Sequence, residues 1–160
     1  MPLTIIEADL SHPDHQAATL HLLNSYAMDP MGDGRPLSET ARRDVIQGLR
    51  EHPTTLVFLA YRAAEPVGLA ICFRGFSTFA ARPLVNISDY FVVPAHRGGG
   101  IGRRLLEAIE QCARRLGCCR LTLEVQENNH HAQKVYAAAG FSQAVHVPAA
   151  GVALFLSKSL

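Results

Sequence analysis

The chain has 160 residues, 48% hydrophobic and 18% charged, and its 15 basic and 14 acidic residues leave a formal net charge of +1. This length predicts a single domain over residues 1–160, large enough to bury a real core. Charge this sparse and balanced excludes a disordered chain, and it argues against a general nucleic-acid binder or a polybasic membrane anchor.

Cysteine usage and the N-terminus indicate a reducing compartment. The four cysteines form no CxxC pair, which argues against a zinc ribbon or a thioredoxin-like motif and favours free thiols. The first ten residues include Glu7 and Asp9 and no long apolar run, so neither a signal peptide nor a membrane helix is expected. We therefore predict a cytoplasmic location, with neither nucleic acid nor membrane as a partner.

The first half of the chain predicts a strand, two helices and a hairpin. Apolar spacing and turn residues give a strand over Leu3–Ala8, a helix opening at 11–14, a loop over 29–36, a helix from Ser38 to about Arg50, and strands over Thr54–Arg62 and Val67–Phe76. Only a short turn separates the last two strands, so they are expected to pair antiparallel.

The second half predicts alternating strands and helices. Its elements are a strand over Leu84–Val93, a glycine-rich segment over 95–102, a helix from Ile101 ended by Gly117, a strand over Cys119–Val125, a helix from Asn128 or Asn129 to Ala139, and a final strand pair, Ser142–Val147 with Val152–Ser157. Strand, helix and strand between residues 84 and 125 predict a right-handed βαβ unit with parallel strands. A mixed sheet of the α+β class follows.

The glycine-rich segment is the most informative stretch. Its residues 97–102 read Arg-Gly-Gly-Gly-Ile-Gly and lie between a strand and a helix. Glycines allow close backbone approach, and a helix start offers unpaired N–H groups and a favourable dipole for anions. Arg103 and Arg104 follow where a Walker loop needs Lys-Ser/Thr, and the third small residue of a dinucleotide fingerprint is missing. A pyrophosphate-like ligand is favoured over a glycine turn that only permits tight packing.

Two motifs here resemble those of one known family. Arg97-x-x-Gly100-x-Gly102 after a strand looks like the acetyl-CoA-binding signature of the GNAT superfamily of N-acetyltransferases. Asn129, Ala132, Tyr136 and Gly140-Phe141 are spaced like its closing motif, N-x-x-A-x-x-x-Y-x-x-x-G-F. The resemblance covers essentially the whole chain. It implies a mixed, mostly antiparallel twisted sheet with about four flanking helices and a splayed parallel strand pair at the cofactor site.

The resemblance also implies how the cofactor, acetyl-CoA, would be held. Backbone groups of one strand would pair with its pantetheine arm, and one N–H there would hold the oxyanion. Loop amides and arginine side chains would bind its pyrophosphate, and Asn129 would hydrogen-bond the arm or act as an ordinary helix cap. The implied cofactor-binding residues are Phe91, Val92, Val93, Arg97, Gly98, Gly99, Gly100, Ile101, Gly102, Arg103, Asn129 and Tyr136.

By the same resemblance, Tyr136 takes the position of the general acid, since a thiolate leaves more easily when a hydroxyl donates to it. The general base stays open between Glu124, Asp89 and a water relay. Glu124 matches the base of relatives that act on protein N-termini, whereas Asp89 has Ser88 where diamine acetyltransferases carry a second acid. Cys72 has no recognisable histidine partner, so direct attack in a ternary complex is favoured over an acyl-cysteine.

The resemblance also implies that the acceptor is a primary amine: a small amine, an amino acid or a peptide N-terminus. In that family the loop between the first two helices usually lines the acceptor site, and here that loop and the connection between the next strands offer the candidate contacts Tyr26, Met28, Asp29, Phe76 and Phe79. No metal is expected, because the adjacent His130 and His131 would point in different directions on a helix. A non-catalytic CoA-binding module is the main alternative. Relatives are often dimers, and the sequence has no decisive interface stripe, so monomer and homodimer both stay open.

Overall fold

The computed structural model describes residues 2–144 and 147–160. Its strands and helices, in chain order, are β1 (Leu3–Glu7), α1 (Pro13–Met28), α2 (Glu39–Glu51), β2 (Thr55–Arg62), β3 (Glu65–Ser77), β4 (Arg82–Val92), α3 (Ile101–Arg115), β5 (Leu121–Leu123) and α4 (His130–Ala138). Short 3₁₀ turns occur at Pro94–His96 and Pro148–Ala150. The predicted order of elements is confirmed as far as α4.

The strands form one mixed sheet in the order β1-β2-β3-β4-β5. The first three pairings are antiparallel, and β4 pairs with β5 in parallel. The parallel pair is joined through α3, as the βαβ interpretation requires. The predicted fold class is therefore confirmed.

Helices cover both faces of the sheet, and each face has its own buried cluster. On one side, Leu22 of α1 and Leu49 of α2 pack on side chains of β2, β3 and β4. On the other side, α3 places Ile101, Leu105 and Ile109 against the sheet, and all three are at most 1% exposed. These apolar stripes at helical spacing orient the start of α3 toward the open end of β4.

Local sequence signals set where the helices begin and end. The Ser38 hydroxyl caps α2 by accepting a hydrogen bond from the Ala41 N–H at 3.1 Å, as predicted. Gly117 follows the end of α3 with φ +72°, a backbone conformation that residues other than glycine rarely adopt. No helix of the described ranges is long and apolar enough to cross a membrane.

A bulge in β4 precedes the opening of the sheet. Ile71 of β3 pairs with Asp89 and Cys72 pairs with Ile87, so Ser88 is an extra residue in β4. Such a bulge bends its strand and increases the local twist. Pairing with β5 ends at Ile87–Leu123, and β4 continues five residues further without β5 beside it. The splayed strand pair is thus present, and it opens at the bulge.

The end of the chain departs from the prediction. Within the expected pair Ser142–Val147 and Val152–Ser157, Val145 and His146 lie outside the described residues, and 152–157 forms no strand. Leu154, Phe155 and Leu156 are 79%, 74% and 84% exposed, so this apolar run is not buried. A short apolar run forms a strand only where it can pair with a neighbour, and β5, the strand at that edge, is three residues long.

Candidate functional site

The site is a cleft of about 740 Å³ at the splayed end of the sheet. One wall is the part of β4 beyond the bulge, together with the glycine-rich loop and the start of α3. The other wall is the segment after β5 and the inner face of α4, and residues at the end of α1 close one end. The predicted site residues that line it are Tyr26, Asp29, Phe91, Val92, Arg97, Gly98, Gly100, Ile101, Gly102, Arg103, Glu124, Asn129 and Tyr136.

The glycine-rich loop offers a continuous row of amide donors. Gly98 and Gly100 both have φ +78°, in the left-handed region that glycine adopts without strain. Within the described residues, no backbone N–H from 98 to 103 makes a hydrogen bond to another part of the chain. A Cβ at 98 or 100 would meet open space, so this backbone is accessible. The loop and the first turn of α3 therefore form a cradle for an anion.

The charges around this cradle are positive. The first turn of α3 carries no acidic residue that would compete with an anion. Arg103 lies 3.6 Å from Glu107, and both are largely exposed, so this ion pair leaves the guanidinium free to reach a ligand at little cost. Together with the helix dipole, these groups suit a phosphate-bearing ligand.

Arg97 has a more specific role than sequence reasoning gave it. Its Nη2 donates to the Asp29 carboxylate at 2.7 Å, and its Nε donates to the Val92 carbonyl oxygen at 2.9 Å. Its guanidinium carbon lies 5.7 Å from the centre of the Phe91 ring. The Asp29 side chain is only 6% exposed. This arginine therefore ties the end of α1 to β4, and part of its donor set is already engaged.

Three tyrosines meet inside the cleft. The rings of Tyr90 and Tyr136 pack edge to face with centroids 5.4 Å apart, and Tyr136 also packs on Phe141 at 5.8 Å. Burial, with a smaller contribution from nearby Tyr26, raises the pKa of Tyr136. Its hydroxyl therefore stays protonated at neutral pH and is available as a donor.

The two candidate carboxylates occupy different environments. Glu124 is exposed just after β5 and lines the cleft together with Tyr136. Asp89 lies in β4 on the side of Phe91, faces α1, and is not part of the cleft wall. Burial raises the pKa of Asp89, and burial, with a smaller contribution from the Asp89 carboxylate, raises the pKa of Tyr26. The structure therefore places Glu124 in the cleft lining and Asp89 outside it.

Asn129 and Val93, two predicted cofactor contacts, already make hydrogen bonds within the fold. The Asn129 side-chain oxygen caps α4 by accepting from the Ala132 N–H at 3.2 Å, which leaves its NH₂ group free to donate. The Val93 N–H donates to the Val67 carbonyl oxygen at 3.0 Å, and Val93 does not line the cleft. The Val93 N–H is therefore used by β3, and the predicted pairing of a cofactor with backbone groups of Phe91, Val92 and Val93 could use only the carbonyl group of Val93.

The predicted acceptor contacts divide into two groups. Tyr26 and Asp29 line the cleft, whereas Met28 is half-exposed on a smaller neighbouring groove. Phe76 and Phe79 lie at the tip of the β3–β4 hairpin, 62% and 102% exposed. The hairpin extends several residues beyond the cleft, so neither phenylalanine lines it.

The sequence does not identify several residues that lie in or beside the cleft. Tyr90 lies next to Asp89 in the same strand, but the alternation of strand side chains sends it to the opposite face, into the cleft. Gln126 donates to the Met31 carbonyl oxygen at 3.4 Å and connects the wall after β5 to the segment that closes one end of the cleft. Arg62, at the end of β2, lies under the glycine loop, with Nη2 3.0 Å from where a Cβ of Gly99 would be. The alternation of side chains along β4 could have indicated Tyr90, whereas the positions of Gln126 and Arg62 depend on tertiary packing.

Sequence comparisons agree with this geometry. A family model described as the acetyltransferase (GNAT) family matches residues 19–141. An uncharacterized N-acetyltransferase, YhfO, of Bacillus subtilis is 29% identical over 93 residues, which cover 58% of this chain and 62% of that protein. Thialysine N-epsilon-acetyltransferase of Bos taurus is 32% identical over 74 residues, 46% of this chain and 43% of that enzyme. The matches thus span between about two fifths and three fifths of these relatives.

Solved structures share the fold over the full chain. The crystal structure of a probable acetyltransferase superposes with a TM-score of 0.80 at 21% identity, covering 98% of this chain and 99% of the other. The structure of AAC(6')-Iy in complex with the bisubstrate analogue CoA-S-monomethyl-acetylneamine superposes with a TM-score of 0.77 at 18% identity, covering 100% of both chains. At these identities the likeness concerns the fold.

Proposed function

Because the chain belongs to the GNAT acetyltransferase family, a family of acyltransferases, we propose that it transfers the acetyl group of acetyl-CoA to a primary amine. The observation that carries this proposal is the row of six amide donors from 98 to 103, which make no hydrogen bond within the described chain. All of these residues except Gly99 line the cleft that contains Tyr136. The amides fit a pyrophosphate, and the narrow gap beside β4 fits the extended arm of a coenzyme A.

The cofactor would be held mainly by backbone. Amides of Gly98, Gly100 and Ile101 would bind the pyrophosphate, aided by the Arg103 guanidinium and the dipole of α3. The free NH₂ group of Asn129 would donate to the arm from α4. Arg97, engaged by Asp29 and Val92, would act mainly by fixing the loop. When bound, acetyl-CoA supplies the acetyl thioester and the thiolate leaving group.

Two side chains would manage protons. The Tyr136 hydroxyl, kept protonated by burial, would donate to the departing sulfur. Glu124 would accept the proton of the attacking amine, because it lines the cleft and Asp89 does not. Geometry takes precedence over pKa in choosing a base, so the raised pKa of Asp89 alone does not favour it. Direct attack on the thioester would proceed without a covalent enzyme intermediate, since Cys72 is fully buried.

The acceptor would be a small amine, an amino acid or a peptide N-terminus bound near Tyr26 and Asp29. The relatives named above are N-acetyltransferases, one of them a thialysine enzyme, which supports an amine acceptor of this size. Asp29 is neutralised by Arg97, so it does not by itself select a cationic acceptor.

The proposal is tested by measuring free thiol release from acetyl-CoA with the purified protein and a panel of primary amines. We expect release that depends on one class of amine, and a higher melting temperature at saturating acetyl-CoA. Absence of a thermal shift would contradict the cofactor assignment. A thermal shift without turnover across the panel would favour the non-catalytic CoA-binding module.

The base is tested by comparing Glu124→Gln with Asp89→Asn in the same assay. We expect the Glu124 variant to lose at least about tenfold in kcat, as removal of a general base does. The Asp89 variant is the matched control, because it removes a carboxylate of β4 that does not line the cleft. The reverse ranking would assign the base to Asp89, and equal small effects would support a water relay.

A further inference from the structure

Tyr90 contacts both α3, which carries the anion-binding turn, and α4, which carries Tyr136. It projects from β4 between the first turn of α3 and the inner face of α4. Its ring edge contacts the Tyr136 ring, with an angle of 60° between the ring planes. Its hydroxyl oxygen is fully buried and has no hydrogen-bond partner within the described residues. This hydroxyl gains neither a hydrogen bond within the described residues nor contact with solvent, so we ask instead what space it occupies.

The space beside the hydroxyl belongs to Gly102, the second residue of α3. A Cβ built on Gly102 would overlap the Tyr90 hydroxyl oxygen. The next nearest atoms are Tyr90 Cζ at 3.5 Å and Val135 Cγ1 at 3.6 Å, both ordinary contact distances. The hydroxyl is therefore the only close obstacle to an alanine at position 102.

We propose that Tyr90 is a positioning residue of the acetyl-transfer site, which sets the distance between the anion-binding turn of α3 and Tyr136. This inference rests on the proposed function, because it assigns Tyr90 a role in that same site. The hydroxyl end of Tyr90 limits how closely the turn at 101–103 approaches β4. The edge of the same ring holds Tyr136, so one rigid side chain with two rotatable bonds sets both positions.

The proposal makes the residue allowed at position 102 depend on the residue at position 90. With the tyrosine hydroxyl present, only glycine lets the first turn of α3 lie where its amides face the cleft. Without that oxygen, the remaining neighbours of a new Cβ are at contact distance and alanine fits. Alanine also favours a helix more than glycine does, so no intrinsic helix preference opposes the change.

A double-mutant cycle tests this dependence. The dissociation constant for CoA is measured by calorimetry, and the melting temperature separately, for the wild type, Gly102→Ala, Tyr90→Phe and the double variant. We expect Gly102→Ala to weaken CoA binding about tenfold or more in the wild-type background, and less than about threefold in the Tyr90→Phe background. Gly48→Ala is the matched control: it is also a helical glycine, it has nothing within 4 Å of the new Cβ, and it should leave the affinity unchanged.

Each outcome decides the proposal. An equal loss of CoA affinity in both backgrounds, or no loss in either, overturns it. If Gly102→Ala yields no folded protein, recovery of folded, CoA-binding protein in the double variant supports it, and failure of the double variant overturns it. If the wild type itself does not bind CoA, the proposed function fails. The contact between positions 90 and 102 is then still judged from the melting temperatures, which should fall for Gly102→Ala and recover in the double variant.

Discussion

The cleft has two ends that are built in different ways. At the cofactor end, residues 97–103 present backbone amides, held in place by glycines with positive φ and by a helix whose apolar stripe fixes its direction. At the acceptor end, side chains from the loop after α1 meet those of the segment after β5. Recognition by backbone depends on local conformation, whereas recognition by side chains depends on which distant segments meet. The two ends should therefore respond to mutation in different ways.

The largest effect is expected at Tyr136, which lies between the two ends, and it should change kcat without changing the affinity for CoA. Tyr136→Phe should lower kcat about 100-fold, the usual contribution of a general acid, because no hydroxyl then donates to the leaving sulfur. The dissociation constant for CoA should change less than about threefold, since the ring and its packing are kept. Steady-state kinetics with the best amine and calorimetry measure the two quantities. Tyr61→Phe, outside the cleft lining, is the control, and an unchanged kcat in Tyr136→Phe would remove the acid role.

The backbone character of the cofactor end is tested by two glycines at opposite ends of α3. Gly100 and Gly117 have φ +78° and +72°, and a Cβ at either would meet open space. Alanine should therefore destabilise the fold by a similar 1–2 kcal/mol at each position. Only Gly100→Ala should weaken CoA binding, by about 30-fold, because it displaces the amide cradle. Chemical denaturation and calorimetry test this, and equal CoA affinities of the two variants would contradict a backbone cradle.

The link between the ends is tested by two aspartates of the same loop. Asp29→Ala removes a carboxylate that is 6% exposed and leaves both the Met31 N–H and the partly exposed Arg97 guanidinium without this acceptor, so we expect a loss of about 1.5 kcal/mol in the free energy of unfolding. The Asp33–Arg35 pair is exposed on both sides, so Asp33→Ala should change stability by less than about 0.5 kcal/mol. Urea denaturation gives both values. Equal losses would show that the Asp29–Arg97 pair is not a structural tie.

The smallest effect concerns pH. Burial raises the pKa of Asp89, so folding disfavours its charged form. The stability associated with this group is therefore fully present below its unfolded pKa, near 3.9, and is lost as pH rises through the raised folded value. Asp89→Asn should accordingly be slightly more stable than the wild type at neutral pH, with the difference vanishing in acid. Melting temperatures of both proteins from acidic to neutral pH measure this, and a difference that grows in acid would reverse the assignment.

The same contrast explains what the sequence could and could not predict. The glycine loop, the Ser38 and Asn129 caps and the element order as far as α4 depend on signals within a few residues, so the sequence alone predicts them. Phe76, Phe79 and Met28 lie near cleft elements along the chain, yet hairpin length and helix face direct their side chains elsewhere. Arg62 and Tyr90 contribute through contacts with residues 99 and 102, which local pattern does not encode. The segment 152–157 has the apolar composition of a strand, but it pairs with no strand within the described residues.

The extra residue in β4 has a consequence for changes in chain length. Ile87 and Tyr90 face the same side of the sheet although they are three residues apart, because Ser88 is inserted between them. Deleting Ser88 would restore ordinary alternation and leave every buried side chain of β4 on its present face. The deletion would thus spare the core while removing the bend at which β4 and β5 part. A gap of one residue at this position in a homologous sequence would therefore mark a protein that keeps this architecture but has lost the opening between β4 and β5 in which we propose that acetyl-CoA binds.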